Sequence, residues 1–192
     1  MSSALICGFG NLGKHLAKLL NQQGYRTYGL RRTPHQSAYA HMIHKDIFEL
    51  KVSDMPPADY VYYMLRPDSK QISDYKKTYL HGLNHLIHLL KQHHHTPKKI
   101  ILCSSTEIYG NTLGQVGTES QIITPTEPVE VILHQAENII KQSPFEHLIV
   151  RLAHMYHPKA YPYKEQLEAK KISYNLIMSF FHPRKKFYHK II

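Results

Sequence analysis

One short turn constrains this chain more than any other feature. It is Gly8-Phe9-Gly10-Asn11-Leu12-Gly13, set between an apolar run and an amphipathic stretch. Ala4-Leu5-Ile6-Cys7-Gly8 carries no polar residue and is too short for a stable helix, which is the pattern of a buried strand. From Asn11 to Gln23, apolar residues recur at helical spacing (Leu12, Leu16, Leu19, Leu20), and Gly24 supplies the stop. Between a strand and a helix, glycines at this spacing each have a task. The first permits the tight turn, the second lets a pyrophosphate approach the backbone, and the third lets helix and strand pack closely. The helix start then offers free N–H groups and partial positive charge to phosphate oxygens. Gly8, Phe9, Gly10, Asn11, Leu12 and Gly13 are therefore candidate dinucleotide-binding residues. A glycine-rich turn without a ligand is the plainer alternative.

The rest of the chain repeats the strand–helix alternation. Arg26–Leu30, His41–Ile43, Tyr60–Met64, Lys99–Ser104 and Leu148–Leu152 read as strands. Ile72–Gln92 and Pro128–Gln142 read as helices, with Pro128 suited to a first turn. Strands alternating with helices predict a parallel sheet covered on both faces, and the right-handed crossover rule favours a Rossmann-type, doubly wound α/β fold. After His157 the pattern changes. Pro158, Pro162 and several tyrosines suggest a loop, Glu165–Phe181 fits one amphipathic helix, and Arg184-Lys185-Lys186 belongs to no clear element. The expected organisation is a nucleotide-binding domain over residues 1–158 and a basic tail over 159–192.

The formal charge of +10 raises nucleic acid or another polyanion as a partner. Much of the excess lies in the tail, where Lys159–Lys190 holds eight basic residues against Glu165 and Glu168. With no sequence-reading motif present, nucleic acid is the weaker expectation. His93-His94-His95 lacks the convergent spacing of a metal site, so no metal is expected. Cys7 and Cys103 fall in strands and are read as reduced core residues. No apolar run is long enough to span a membrane, and no leader segment precedes Ala4, so a cytoplasmic location is expected.

The end of the second strand bears on cofactor choice. A carboxylate there would hold a ribose 2′-hydroxyl, but the chain has Gly29-Leu30-Arg31-Arg32. A guanidinium can form a fork with a 2′-phosphate, so Arg31 and Arg32 favour NADP over NAD. Solvated loop arginines are the alternative. Asp46, beside Ile47 after the third strand, could accept a hydrogen bond from an adenine amino group or could simply cap a turn.

GFGNLG, GLRR, Asp46-Ile47, SSTEIYG at Ser104–Gly110 and RLAHMYHP at Arg151–Pro158 occur in that order. Together they resemble the NAD-dependent epimerase/dehydratase branch of the extended short-chain dehydrogenase/reductase superfamily, especially its atypical nucleoside-diphosphate-sugar epimerase-like members. The resemblance covers about residues 3 to 158. It implies an oxidoreductase acting on a nucleotide sugar or a similar hydroxyl compound. It also implies that Ser105 bonds the substrate oxygen where hydride leaves, that Glu107 stands where some dehydratases carry an acid–base glutamate, and that Tyr109 is structural. A homodimer through Ile72–Gln92 and Pro128–Gln142 is a further implication.

Two departures weaken that picture. The family's acid–base pair is a Tyr and a Lys four residues apart, with a Glu four residues later on the same helix. Glu137 fits the Glu, which puts Val129 at the Tyr and Leu133 at the Lys, and neither can move a proton. The family also continues well past this length, so the chain reads as C-terminally truncated. A non-catalytic NADP-binding sensor, scaffold or remnant is therefore the competing expectation.

Overall fold

In a computed structural model of the chain, residues 1–110, 118 and 122–153 are described. The chain divides into two compact units. The first joins Met1–Gly110 to Ile123–Leu152 and holds every element below. The second comprises Asn111–Ile122 and Ala153–Ile192, of which only Thr118, Ile122 and Ala153 are described. The expectations for Glu165–Phe181 and for the basic tail lie outside the described residues.

Six strands form one sheet: β1 (Ser3–Cys7), β2 (Arg26–Leu30), β3 (His41–Ile43), β4 (Tyr60–Tyr63), β5 (Lys99–Ser105) and β6 (His147–Leu152). Their order is β3-β2-β1-β4-β5-β6, and every pairing is parallel. The α/β doubly wound expectation is met. The chain moves outward from β1 to β3, returns to the other side at β4 and continues to β6. The reversal between β1 and β4 leaves a crevice at their carboxyl ends, the place where open α/β sheets bind ligands.

The central strands are buried on both faces, and alternate residues join different clusters, which assigns each face its helices. Leu5, Cys7, Val61, Tyr63, Ile100 and Leu102 join one core cluster with Leu83, Leu86, Leu90, Ile132, Leu133 and Ile140. Those partners come from α3 (Leu83–Gln92) and α4 (Pro128–Lys141). Ala4 and Ile6 are fully buried outside that cluster, where α1 (Asn11–Gln22) packs. Each fully buried Leu or Ile removes enough apolar surface to contribute roughly 1.5–3 kcal/mol before entropy is counted.

The predicted helix over 72–92 is one continuous helical stretch, but not uniformly α. A first turn, α2 (Ile72–Tyr75), runs into a wide π-helical segment at Lys76–Gly82 and then into α3. The cause lies on β4. The Tyr63 hydroxyl donates to the Thr78 carbonyl at 2.5 Å, so a strand side chain inserts its polar tip into the helix wall. A Cβ on Gly82 would lie 2.5 Å from that hydroxyl oxygen, so glycine makes room for it.

Both cysteines are free thiols, Cys7 in the core and Cys103 half-buried, and burial pushes the pKa of each up to about 12, which disfavours the reactive thiolate. Among the described residues no helix is long and apolar enough to cross a membrane.

Candidate functional site

The glycine turn sits at the crevice. Gly8 has φ +106°, which L side chains rarely adopt, and a Cβ there would lie 2.5 Å from the Met64 carbonyl oxygen. Gly13 lies against the turn it follows, where a Cβ would come within 2.7 Å of the Gly8 carbonyl oxygen. Gly10 differs from both, because a Cβ there meets nothing within 4 Å. Gly8 and Gly13 are closed by the protein itself, and Gly10 faces open space.

The turn's donors divide the same way. The Gly8 and Phe9 N–H groups both donate to the Leu30 carbonyl, at 3.2 and 3.1 Å, and Gly10 donates to Gly8 at 2.9 Å. The first backbone donors of α1, at Asn11, Leu12 and Gly13, precede the first intrahelical bond, which Lys14 makes to Gly10 at 2.9 Å. No side chain caps this end. Phe9 therefore supports the turn from behind. Its ring is buried and its backbone donor is occupied, leaving its carbonyl as its polar group toward the loop after β2.

The structure separates the two arginines at the end of β2. Arg32 reaches Asp68 with two nitrogens, Nη1 to Oδ2 at 2.8 Å and Nη2 to Oδ1, and its Nη1 lies 3.9 Å from Asp46. The Asp68 hydrogen bond raises the Arg32 pKa, and Arg32 in turn holds Asp68 below the usual carboxylate range. Arg31 has no carboxylate partner among the described residues. Its Nε donates to Thr33 Oγ1 at 2.7 Å and its Nη1 to the Phe9 carbonyl at 3.4 Å. Asp46 caps the short 3₁₀ helix Ile47–Glu49, accepting from the Phe48 N–H at 3.0 Å while Glu49 accepts from the Asp46 N–H at 3.3 Å. Ile47 is buried in the core cluster, so its side chain does not face the crevice.

Ser105 ends β5 on the same edge of the sheet. Its Oγ accepts from the Glu107 N–H at 3.1 Å, capping the 3₁₀ turn Thr106–Tyr109 and leaving the hydroxyl proton to bond elsewhere. The Glu107 side chain is exposed and has no hydrogen-bond or ion-pair partner among the described residues. Its charge nevertheless contributes to raising both Tyr75 and Tyr79, after burial, so these phenols lie near it. Tyr75 and Tyr79 have ring centroids 6.0 Å apart.

Val129 and Leu133 both lie on α4. Leu133 is fully buried in the core and Val129 packs partly against it, so neither position offers a proton donor. Glu137, one turn on, is also fully buried and holds Arg151 of β6 by two bonds, Nε to Oε1 at 2.8 Å and Nη2 to Oε2 at 2.7 Å. Arg151 Nη1 donates to the Tyr109 hydroxyl at 2.8 Å, and the guanidinium stacks over that ring at 5.0 Å. This lock ties α4, β6 and the turn after β5 together, a structural part for Tyr109. Nothing in sequence spacing pairs Glu137 with Arg151 or Arg32 with Asp68, since each contact crosses between elements.

A family model for the NAD dependent epimerase/dehydratase family matches residues 4–180. No curated protein matches the sequence. Among solved structures, UDP-glucuronic acid 4-epimerase from Bacillus cereus in complex with NAD superposes with a TM-score of 0.69 at 21% identity, over 86% of this chain and 63% of that one. A putative NAD-dependent epimerase/dehydratase from Methylobacillus flagellatus gives 0.70 at 21%, over 90% and 61%. MoeE5 in complex with UDP-glucose and NAD gives 0.67 at 22%, over 84% and 57%. The chain thus spans about three fifths of the length of the structures it resembles.

Proposed function

The chain belongs to the NAD dependent epimerase/dehydratase family, and we propose that it binds a nicotinamide adenine dinucleotide across the Gly8–Gly13 turn and acts on a hydroxyl group of a nucleotide sugar or similar compound. The observation that carries the binding half is the contrast at the turn. Gly8 and Gly13 are walled in by backbone, a Cβ at Gly10 would meet nothing within 4 Å among the described residues, and the start of α1 beside it has no side-chain cap for its first N–H groups. This is the arrangement a pyrophosphate needs. Asp46 uses Oδ1 for its capping bond, and its Oδ2, 3.9 Å from Arg32 Nη1, makes no hydrogen bond among the described residues, which suits an adenine amino group.

A bound nicotinamide supplies hydride acceptance and return. The protein's own part is to hold the substrate and handle a proton. Ser105 suits the first task, because its oxygen already accepts from Glu107 N–H and its hydroxyl donates to no acceptor among the described residues, which leaves it for a substrate oxygen. Glu107 suits the second, as an exposed carboxylate two residues on with no partner among the described residues. Val129 and Leu133 favour a second reading, in which the chain binds the dinucleotide without turnover, because the apolar α4 positions cannot make a phenolate near neutral pH.

Nicotinamide fluorescence on titration with NADH and NADPH tests binding. Micromolar binding of at least one is expected, and no binding of either would overturn both readings. A nucleotide-sugar screen with the binding-competent protein then separates them. Turnover that Ser105→Ala lowers supports the enzyme, whereas saturation with cofactor and no turnover supports the binder.

A further inference from the structure

The helical stretch over 72–92 carries a phenol that neither the core nor the glycine turn employs. Tyr79 lies in its π-helical segment, and its ring is buried in the core cluster that also holds Leu133 of α4 and Ile108 of the 3₁₀ turn Thr106–Tyr109. Among the described residues, the tyrosine hydroxyls that bond protein groups are those of Tyr63 and Tyr109. The Tyr79 hydroxyl bonds none, and it is not one of the unpaired side-chain atoms sealed from solvent. A buried ring therefore carries its polar tip to accessible space without a protein partner. Buried tyrosines ordinarily find a partner for that group, so this one calls for an explanation.

The neighbours of that tip belong to the end of β5. The Tyr75 ring lies 6.0 Å from the Tyr79 ring. Ile108, in the same cluster, sits in the turn that Ser105 caps and that carries Glu107. Burial, then Tyr75, Glu107 and Cys103, raise the Tyr79 pKa to about 12, with Arg66 opposing.

We propose that the Tyr79 hydroxyl donates a hydrogen bond, beside Ser105, to the substrate oxygen at which hydride leaves, so that the helix after β4 supplies the phenol that α4 lacks at Val129. The assignment rests on the enzyme reading above and deepens it. The part differs in kind from that of an acid–base tyrosine. Leu133 supplies no ammonium to favour a phenolate, and burial and the nearby carboxylate disfavour one, so Tyr79 stays protonated throughout. As the substrate C–H bond breaks, its electron pair leaves to the oxidised dinucleotide. The substrate O–H bond breaks, its proton passes to the Glu107 carboxylate, and a carbonyl forms. The proton of Tyr79 does not move. It opposes the negative charge that grows on the oxygen, and a ring fixed in the core needs no reorganisation to do so.

The test compares Tyr79→Phe with the unmodified full chain, using the nucleotide sugar that the screen turns over best. Because the hydroxyl bonds no protein group, the urea midpoint should be unchanged, in contrast to Tyr63→Phe. Dissociation constants for NADH and NADPH should stay within about twofold. The kcat/KM should fall about a hundredfold, mostly in kcat. Calorimetric affinity of the cofactor-saturated protein for the nucleotide sugar should fall about fivefold, the share of one hydrogen bond. Turnover and sugar affinity unmoved by Tyr79→Phe would overturn the assignment and leave the enzyme reading intact. A midpoint lowered as far as in Tyr63→Phe would show that the hydroxyl serves the fold, which overturns it as well. A loss found in Tyr75→Phe and not in Tyr79→Phe would give the part to Tyr75. A protein that binds the dinucleotide but neither binds nor turns over any nucleotide sugar would remove the enzyme reading, and the part of Tyr79 with it.

Discussion

Three glycines of one turn illustrate how a motif divides between fold and function at the scale of single residues. Gly8→Ala would force a side chain into positive φ and onto a carbonyl oxygen 2.5 Å away. It should cost on the order of 3 kcal/mol or more and lower the unfolding midpoint in urea. At Gly10 a Cβ would meet nothing within 4 Å among the described residues, so the folding cost of Gly10→Val should stay near the ~1 kcal/mol of a poor helix cap. Its dinucleotide affinity should nevertheless fall at least about tenfold, or 1.4 kcal/mol. A Gly10→Val protein that folds and binds as before would show that the pyrophosphate lies elsewhere.

Glu137 shows a residue the sequence located but could not interpret. Burial alone would push its carboxyl up, yet the bidentate Arg151 guanidinium, helped by Lys141, holds it below the ordinary range. A depressed folded-state pKa means stability that is complete above the unfolded value of about 4.3 and is lost as pH falls through the folded value. Glu137→Gln should cost about 3 kcal/mol at pH 7, since it leaves Arg151 half-paired beneath Tyr109. It should also make the acid limb of a stability–pH curve shallower. Equal loss of stability at pH 7 and pH 3 would mean that the charge pair contributes nothing.

At the scale of elements, the helix over 72–92 was legible and its interior was not. The recurrence of Tyr75, Tyr79, Leu83, Leu86 and Leu90 gives a helix because one apolar stripe must face the sheet. Nothing in that periodicity reports that Tyr63, on a strand, inserts its hydroxyl at Thr78. Tyr63→Phe should lose about 1 kcal/mol, and Gly82→Ala, which crowds that hydroxyl, about 2 kcal/mol. The double change should cost less than the sum, because the Ala methyl then has space. Additive costs, measured by chemical denaturation, would show that the hydroxyl is not what requires glycine at 82. The strands were legible for a similar reason. Short unbroken apolar runs can be buried only in a sheet covered on both sides, as β1, β4 and β5 are.

At the scale of the whole molecule, the sheet order and the position of the turn at its point of reversal follow from alternation and handedness, both visible in one dimension. The distribution of charge does not. Arg31 and Arg32 are adjacent in sequence and equally basic, yet the fold pairs Arg32 with Asp68 from the loop after β4 and leaves Arg31 beside the turn. The same folding brings Lys14 and Lys18 against His35. The sequence by itself determined the α/β class and the glycine turn, and it places apolar Val129 and Leu133 on the helix that carries Glu137. Those are matters of residue type and local period. Only the tertiary structure decided which glycine of the turn has space around it, which arginine is already paired with a carboxylate and which lysines have no carboxylate partner among the described residues. Electrostatic partners and free space are set by residues distant in the chain, and a coulombic or steric contact depends on distance through space rather than along the backbone.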